Sequence, residues 1–272
     1  MYKSQKKSMK ASLIITTYNR TDALHEVLKS VSKQSKLPYE VIIADDGSTN
    51  TTKKLVEAYQ KESKLNLIHS WQEDLGFRAA RSRNKAIARA SGDYIILIDG
   101  DMILEKNFIQ DHINDSIKGF FIQGTRSLLS QNLTQKILDG NREKLNVFQK
   151  GLMNKKNSIR SPLLSKIFST NKNSLSGIKT CNMSFFLDDF HIVNGFNNDI
   201  QGWGREDSEF CVRLINAGIR RRNLRFSAIQ FHLWHGLENR KSLKKNDLIL
   251  KKTIDQKLIW CKSGVNEFID EY

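Results

Sequence analysis

Tyr94-Ile95-Ile96-Leu97-Ile98 runs straight into Asp99-Gly100-Asp101-Met102. Five largely β-favouring residues with no polar alternation fit a strand covered on both faces, as in a parallel sheet. Asp99 and Asp101 stand where that strand leaves the core. Two carboxylates one residue apart at the carboxyl end of a buried strand are placed to hold a divalent cation against a phosphate. Taken alone, Asp-Gly-Asp is equally a turn, since both residue types favour turns. The rest of the chain decides between the two.

Upstream lie the neighbours such a strand needs. Ser12-Leu13-Ile14-Ile15-Thr16 reads as a first strand, followed by the loop Thr17-Tyr18-Asn19-Arg20. Thr21 or Asp22 is placed to cap a helix whose buried face is Leu24, Val27, Leu28 and Val31. After Pro38, Val41-Ile42-Ile43-Ala44 is a second strand leading into Asp45-Asp46-Gly47-Ser48. A helix over about 51–63, a strand over Leu65 to His69 and a helix over about 77–89 complete the approach to Tyr94. The order is β-α-β-α-β-α-β, so the fold class is α/β, a doubly wound and mostly parallel sheet.

Ligands of such sheets bind at the carboxyl ends of the strands. Three polar clusters fall there: Thr17 to Arg20, Asp45 to Ser48, and Asp99 to Asp101. Neither a dinucleotide glycine fingerprint nor a P-loop occurs, so any nucleotide must be held by carboxylates, arginines and a metal. Asp46 can accept a hydrogen bond from a base, or cap a helix. Arg78 or Arg81 can pair with phosphate oxygens, or be solvated helix residues.

Composition narrows the partners. The 272 residues suit one large α/β domain or two small ones. No apolar run approaches the ~20 residues of a membrane span, and no signal-peptide core follows the basic segment 1–10. Cys181, Cys211 and Cys261 are odd in number and widely spaced, which excludes a disulfide framework and fits a cytoplasmic home. The net charge of +15 is concentrated in Arg142 to Lys172 and Arg213 to Lys252. Nucleic acid, an anionic membrane surface or a phosphorylated substrate would be drawn to it, and a solvated basic surface explains it as well. No zinc finger, RNP-type motif or helix-turn-helix supports a nucleic-acid partner.

The segments Ser12 to Arg20, Val41 to Thr49, Gly76 to Asn84 and Leu97 to Asp101, taken in this order and spacing, resemble glycosyltransferase family 2. The resemblance covers about residues 10–105 and implies a GT-A fold that uses a sugar nucleotide. It implies that Thr17, Asp46, Arg81 and Asp101 contact the nucleotide diphosphate or its metal, and that Asp99 touches the donor ribose or sugar. The expected organisation is one domain over 11–235, with a nucleotide-sugar half to residue 105 and an acceptor half beyond it. Residues 126–176, rich in Lys, Asn, Ser and Gln with a helical pattern over Gln135 to Leu152, read as an insertion over the acceptor side. Residues 236–272 have a basic helical pattern, to lie on a membrane or pack on the domain.

In the acceptor half, Phe120 to Thr125 and Thr180 to Phe186 read as strands. Gly202-Trp203-Gly204-Arg205-Glu206-Asp207-Ser208-Glu209 then opens a helix with Phe210, Val212, Leu214 and Ile215 buried and Gly218 at its end. Acids in a helix first turn have a dipole explanation. The Trp-Gly-x-Glu-Asp string also resembles the acceptor-side motif of galactosyltransferase-like and chondroitin-polymerase-like enzymes. That resemblance implies Asp207 as catalytic base, Glu206 as ligand of an acceptor hydroxyl and Trp203 as platform for a sugar ring. Arg205 stands where this motif often has glycine. In Phe231-His232-Leu233-Trp234-His235, an extended backbone would send His232 and His235 to opposite faces. The resemblance implies that one of them, His232 before His235, completes a metal site with Asp101, for Mn²⁺ or Mg²⁺.

Together these readings describe a metal-dependent, inverting transferase moving a hexose or N-acetylhexosamine from a UDP-sugar to a glycan hydroxyl. Bacterial surface polysaccharide or lipopolysaccharide synthesis at the inner membrane face is the expected setting, with a lipid-linked acceptor. The alternatives are a sugar-nucleotide nucleotidyltransferase, which should carry a glycine-rich phosphate loop after its first strand, and a nonenzymatic basic nucleic-acid or membrane binder.

Overall fold

A computed structural model describes residues 9–141, 143–236 and 240–269. Most of the basic segment 1–10, Arg142, and residues 237–239 and 270–272 of the expected extension lie outside the described residues. The first hundred residues follow the expected alternation: β1 (Ala11–Thr17), α1 (Thr21–Val31), β2 (Glu40–Asp45), α2 (Asn50–Glu62), β3 (Leu67–Trp71), α3 (Ala79–Ala88) and β4 (Tyr94–Asp99). β1, β2, β3 and β4 are mutually parallel, with Thr16 level with Asp99 and Thr17 level with Asp45.

Both faces of this sheet are buried, which is why its strands lack polar alternation. Leu13, Ile15, Val41, Ile43, Ile96 and Ile98 face one core, with Leu24, Val27 and Leu28 of α1. Ile14, Ile42, Ile95 and Leu97 face the other, with Ala86 and Ile87 of α3. The expected cap of α1 is not made. Arg20 precedes the helix without a side-chain cap bond, and Asp22 pairs with Arg20 at 3.0 Å instead.

The second half completes this sheet and builds another. β5 (Met102–Leu104), α4 (Phe108–Asp115), β6 (Phe120–Gln123), β7 (Ser127–Leu129), α5 (Gln131–Leu138), β8 (Leu152–Met153), α6 (Pro162–Phe168) and β9 (Thr170–Asn171) come first. β10 (Met183–Phe186), α7 (Leu187–Ile192), α8 (Glu206–Asn216), β11 (Arg220–Asn223), β12 (Gln230–His232) and α9 (Leu243–Asp255) follow. The large sheet runs β3-β2-β1-β4-β10-β6-β11-β9, and a small one runs β5-β12-β7-β8. β10 enters antiparallel between β4 and β6, the one reversal at the centre of a mostly parallel arrangement.

The helix read over Gln135 to Leu152 is shorter and earlier than its pattern suggested. Ser130 caps α5 by accepting from the Leu133 N–H, and Gly140, at φ 86°, follows its end. Leu129, Leu133, Ile137 and Leu152 then pack with Ile229, Phe231 and Leu233 in a third core. Residues 126–176 are therefore partly structural: they supply two strands of the small sheet.

Candidate active site

The carboxyl ends of β1, β2 and β4 bring the expected donor-side residues together. Thr17 is buried, and its hydroxyl oxygen has no hydrogen-bond partner. Gly100 must be small because a Cβ there would lie 3.0 Å from both the Thr16 carbonyl and Thr17 Oγ1. The glycine between the aspartates is thus a close-approach residue as much as a turn residue. Asp46 accepts from the Arg78 backbone N–H at 2.7 Å and from Gln72 Nε2 at 2.5 Å. Burial is the largest influence on this carboxyl and pushes it up to about 6, against those two hydrogen bonds. Arg81 continues the chain, donating to Gln72 Oε1 at 3.1 Å with its guanidinium over the Phe268 ring.

The remaining donor-side residues are placed less directly. Asn19, at φ 48°, accepts from Thr49 N through its side chain and donates its backbone N–H to Ser48, so it stitches the loops after β1 and β2. Tyr18 is half exposed and donates to Asp74 at 2.8 Å. The Arg78 guanidinium turns to the Glu73 carbonyl.

Asp101 follows β4 and faces both histidines. Its Oδ2 lies 3.2 Å from His232 Nε2 and 3.4 Å from His235 Nε2. The expected split to opposite faces is overturned: β12 ends at His232, and the non-strand backbone beyond it swings His235 back to the same side. The His235 Nδ1–H donates to the Gly236 carbonyl at 2.6 Å, which leaves Nε2 as the ring nitrogen facing Asp101. One potential ligand atom from each of the three residues lies within 4.8 Å of the others. Asp101 Oδ1 is buried without a hydrogen-bond partner. Electron-rich atoms crowded in this way call for a proton or a cation between them, so the residues present fit a divalent metal.

The acid pair Glu206-Asp207 opens α8, after a loop whose backbone is left-handed at Gly202, Gly204 and Arg205. A Cβ at Gly202 would collide with Ser242, and one at Gly204 would touch Leu243, so the loop lies tight against the start of α9. Asn246 of α9, fully buried, donates to the carbonyls of Gln201 and Gly204 at 3.1 and 2.9 Å. Arg205, at φ 81° where glycine would be relaxed, is held by Asp247 at 2.5 Å. Trp203 carries the Arg240 guanidinium 5.0 Å from its ring centroid, so one face of the expected sugar platform is already used.

Asp207 Oδ1 accepts from the Ser208 N–H at 2.6 Å. Burial, reinforced by neighbouring Glu206, pushes this carboxyl up to about 7 despite that bond. One oxygen of Glu206 is buried with no partner.

Arg83 links the two sides, and sequence reasoning missed it. Its guanidinium reaches Asp99 at 3.3 Å and Glu206 at 3.4 Å, and its Nε donates to Thr16 Oγ1 at 3.0 Å. Burial alone would lower its pKa, but Asp99 and Glu206 outweigh it and hold the group above its ordinary value. Arg78, Arg81 and Arg83 lie in one segment around α3. Only the helical phase, with Arg83 on the buried side beside Phe196, singles out the one that meets the acids.

Comparison with known proteins gives these features a context. The family described as glycosyl transferase family 2 matches residues 12–176, and that described as N-terminal domain of galactosyltransferase matches residues 166–236. The chain is 28% identical to validoxylamine A glucosyltransferase of Streptomyces hygroscopicus subsp. limoneus, over 76% of this chain and 48% of that protein. It is 24% identical to the chondroitin synthase of Pasteurella multocida, over 80% of this chain and 25% of that one. The chain thus spans about half the length, or less, of these relatives. Its fold is similar to the crystal structure of S. aureus TarS 1–349, with TM-score 0.61 and 17% identity over 96% of this chain and 68% of that one. TarS 1–349 is also known in complex with UDP-GlcNAc, matched at TM-score 0.56 and 23% identity over 85% of this chain and 60% of that one.

Proposed function

The chain belongs to glycosyltransferase family 2, and from that premise we propose that it is a metal-dependent, inverting transferase using a UDP-sugar donor and a glycan hydroxyl acceptor. One observation carries the reading: through buried Arg83, the donor-side Asp99 and the acceptor-side Glu206 share a single cation, with Asp207 next in sequence. A basic binder would have no use for that convergence. UDP is favoured by the similarity to TarS, whose 1–349 form is known with UDP and with UDP-GlcNAc. The transferred unit in this reading is a hexose or N-acetylhexosamine.

Asp207 takes the proton from the acceptor hydroxyl as its oxygen attacks the anomeric carbon and the bond to the UDP oxygen breaks. A carboxyl poised at about 7 is half ionised at neutral pH yet basic enough to accept that proton. Attack from the side opposite the leaving group inverts the anomeric centre. Glu206, with one unpaired oxygen, orients the acceptor hydroxyl, and the free face of Trp203 stacks on the acceptor ring. Asp46 reads the base, while Thr17 and Arg81 hold the diphosphate end. Tyr18, Asn19, Arg20 and Arg78 shape the rim of that site. A Mn²⁺ or Mg²⁺ ion held by Asp101, His232 and His235 would supply neutralisation of the departing diphosphate.

We assign the acceptor to bacterial surface polysaccharide or lipopolysaccharide glycans carried on lipid at the inner membrane face. The polymer-forming relatives and the net charge of +15 support this assignment. The test is nucleotide release from a panel of UDP-, GDP- and CMP-sugars, with Mn²⁺ and then with EDTA. Hydrolysis of one UDP-sugar, lost with EDTA and in Asp101→Ala, is the expected result. Silence across the panel, with no calorimetric binding of UDP plus Mn²⁺, would sink the reading.

A further inference from the structure

α9 has two faces with different work. Inward, Asn246 holds the acceptor loop, as described, and Thr253 donates to Glu209 Oε1 at 3.1 Å in the buried interior of α8. Outward, Leu248 is 69% exposed, and Lys244, Lys245, Lys251 and Lys252 stand three and four residues to either side of it. Those spacings put all four lysines around the leucine on one helical surface. Farther along the chain Ile254, Ile259 and Trp260 are also exposed, as are Lys257 and Lys262. Lys251 pairs with Asp255, itself exposed, at 3.6 Å; among the described residues no acidic cluster balances the other lysines of the ring. A large apolar side chain ringed by lysines has the chemistry of a helix lying at an anionic lipid–water interface.

Among the described residues no helix is long and apolar enough to cross a membrane. We propose that the outer face of α9 docks on an anionic bilayer, and that the helix thereby fixes the acceptor loop Gln201–Glu206 relative to the membrane surface. This inference rests on the transferase reading for its purpose, because the loop so fixed leads into Glu206 and Asp207, where a lipid-carried acceptor would react. The occupant is the bilayer rather than a protein because the face combines several like charges with few, separated apolar residues. A second copy of this chain would bring lysines against lysines.

The full chain is sedimented with vesicles of phosphatidylcholine alone and with ~30% phosphatidylglycerol at ~0.1 M salt, where each lysine near the surface strengthens binding about fivefold. Partitioning onto the anionic vesicles only is expected. Lys244→Glu/Lys252→Glu should weaken it at least ~25-fold on that per-residue scale, and Leu248→Glu should weaken it as well. Both variants should retain binding of UDP plus Mn²⁺, which also shows that they fold. Partitioning unchanged in both variants, no partitioning of the parent chain, or loss only on changing the exposed Leu163 and Ile167 of α6 would overturn the proposal. A Leu248→Glu effect on sedimentation mass rather than on vesicles would assign the face to self-association and overturn it equally. Failure on vesicles with UDP binding intact sinks this inference alone. Absence of UDP binding in the parent chain sinks the transferase reading instead.

Discussion

The carboxylates proposed for the donor side and those proposed for the acceptor side are held in different ways. Asp46 and Asp99 stand at or just past strand ends, where parallel, in-register pairing with β1 fixes the backbone. Glu206 and Asp207 stand on the first turn of a helix, and their approach is set by left-handed backbone at Gly202, Gly204 and Arg205 and by a second helix from forty residues later. The first arrangement is rigid by virtue of the sheet. The second is rigid only while α9 stays in place. Active centres of this kind pair a fixed binding shelf with a more adjustable catalytic arm.

The largest expected effect separates the two sides chemically. Asp207→Asn should lower transfer by about 10²–10⁴-fold while leaving UDP affinity unchanged, measured by initial rates and calorimetry. In the parent chain, kcat/KM should rise with pH through about 7 as Asp207 loses its proton. The sign for stability is the reverse. A carboxyl raised in the folded state binds more protons there than in the unfolded chain, so stability falls as pH climbs from about 4 to about 7. Asp207→Asn should therefore have a higher Tm than the parent at pH 8, with the difference shrinking towards pH 5.

Next comes the scaffold beneath the acceptor side. Arg213 and Glu209 form a two-point pair at 2.7 and 2.9 Å, both almost fully buried, and Thr253 of α9 joins them. Arg213→Ala leaves a buried carboxylate unpaired and should cost about 3–5 kcal/mol, read by urea denaturation. A smaller and more selective loss is expected for Asn246→Ala, which strips two loop carbonyls of their donor at about 1–3 kcal/mol. Its signature should be a raised KM for acceptor with hydrolysis of donor retained; equal loss of both would break the distinction between the two sides. The smallest effect is expected for Arg205→Gly, which relieves a left-handed residue worth about 1–2 kcal/mol and gives up a half-exposed ion pair worth about 0–1 kcal/mol. Its Tm should stay close to that of the parent.

The same contrast explains what could be read from sequence. Apolar runs ending in Asp45-Asp46 and in Asp99 report strand ends directly, because burial on both faces leaves no other pattern. The Glu206-Asp207 helix was legible from its buried positions and from Gly218. Arg83 was not, because three arginines within six residues differ only in which way the helix turns them. The convergence of His232 and His235 was hidden by strand alternation that stops one residue after it starts to matter. The α5 region misled because Ile137 and Leu152 share a core from different elements, so a helical spacing arose from a strand and a helix together. Nothing local to Gln201–Glu206 announces Asn246, whose partners are set by tertiary packing.

The proposed metal site lies on the small sheet, where His232 of β12 is paired across the ladder with Met102 of β5, and the Leu233 N–H donates to the Asp101 carbonyl at 3.0 Å. Ligands 131 positions apart in the chain are thus one backbone rung apart in space. Ribosomes extend a chain by about 5–20 residues per second, so Asp101 emerges on the order of ten seconds before its histidine partners. β10, which must slot between β4 and β6, is also made late. A nascent chain carrying the whole nucleotide-sugar half has Asp101 but no histidine ligand, and its sheet ends at a bare β4 edge. Under the proposed metal site, competence to hold a cation arrives only with the pairing of β12 in the small sheet, after the nucleotide-sugar half has been made.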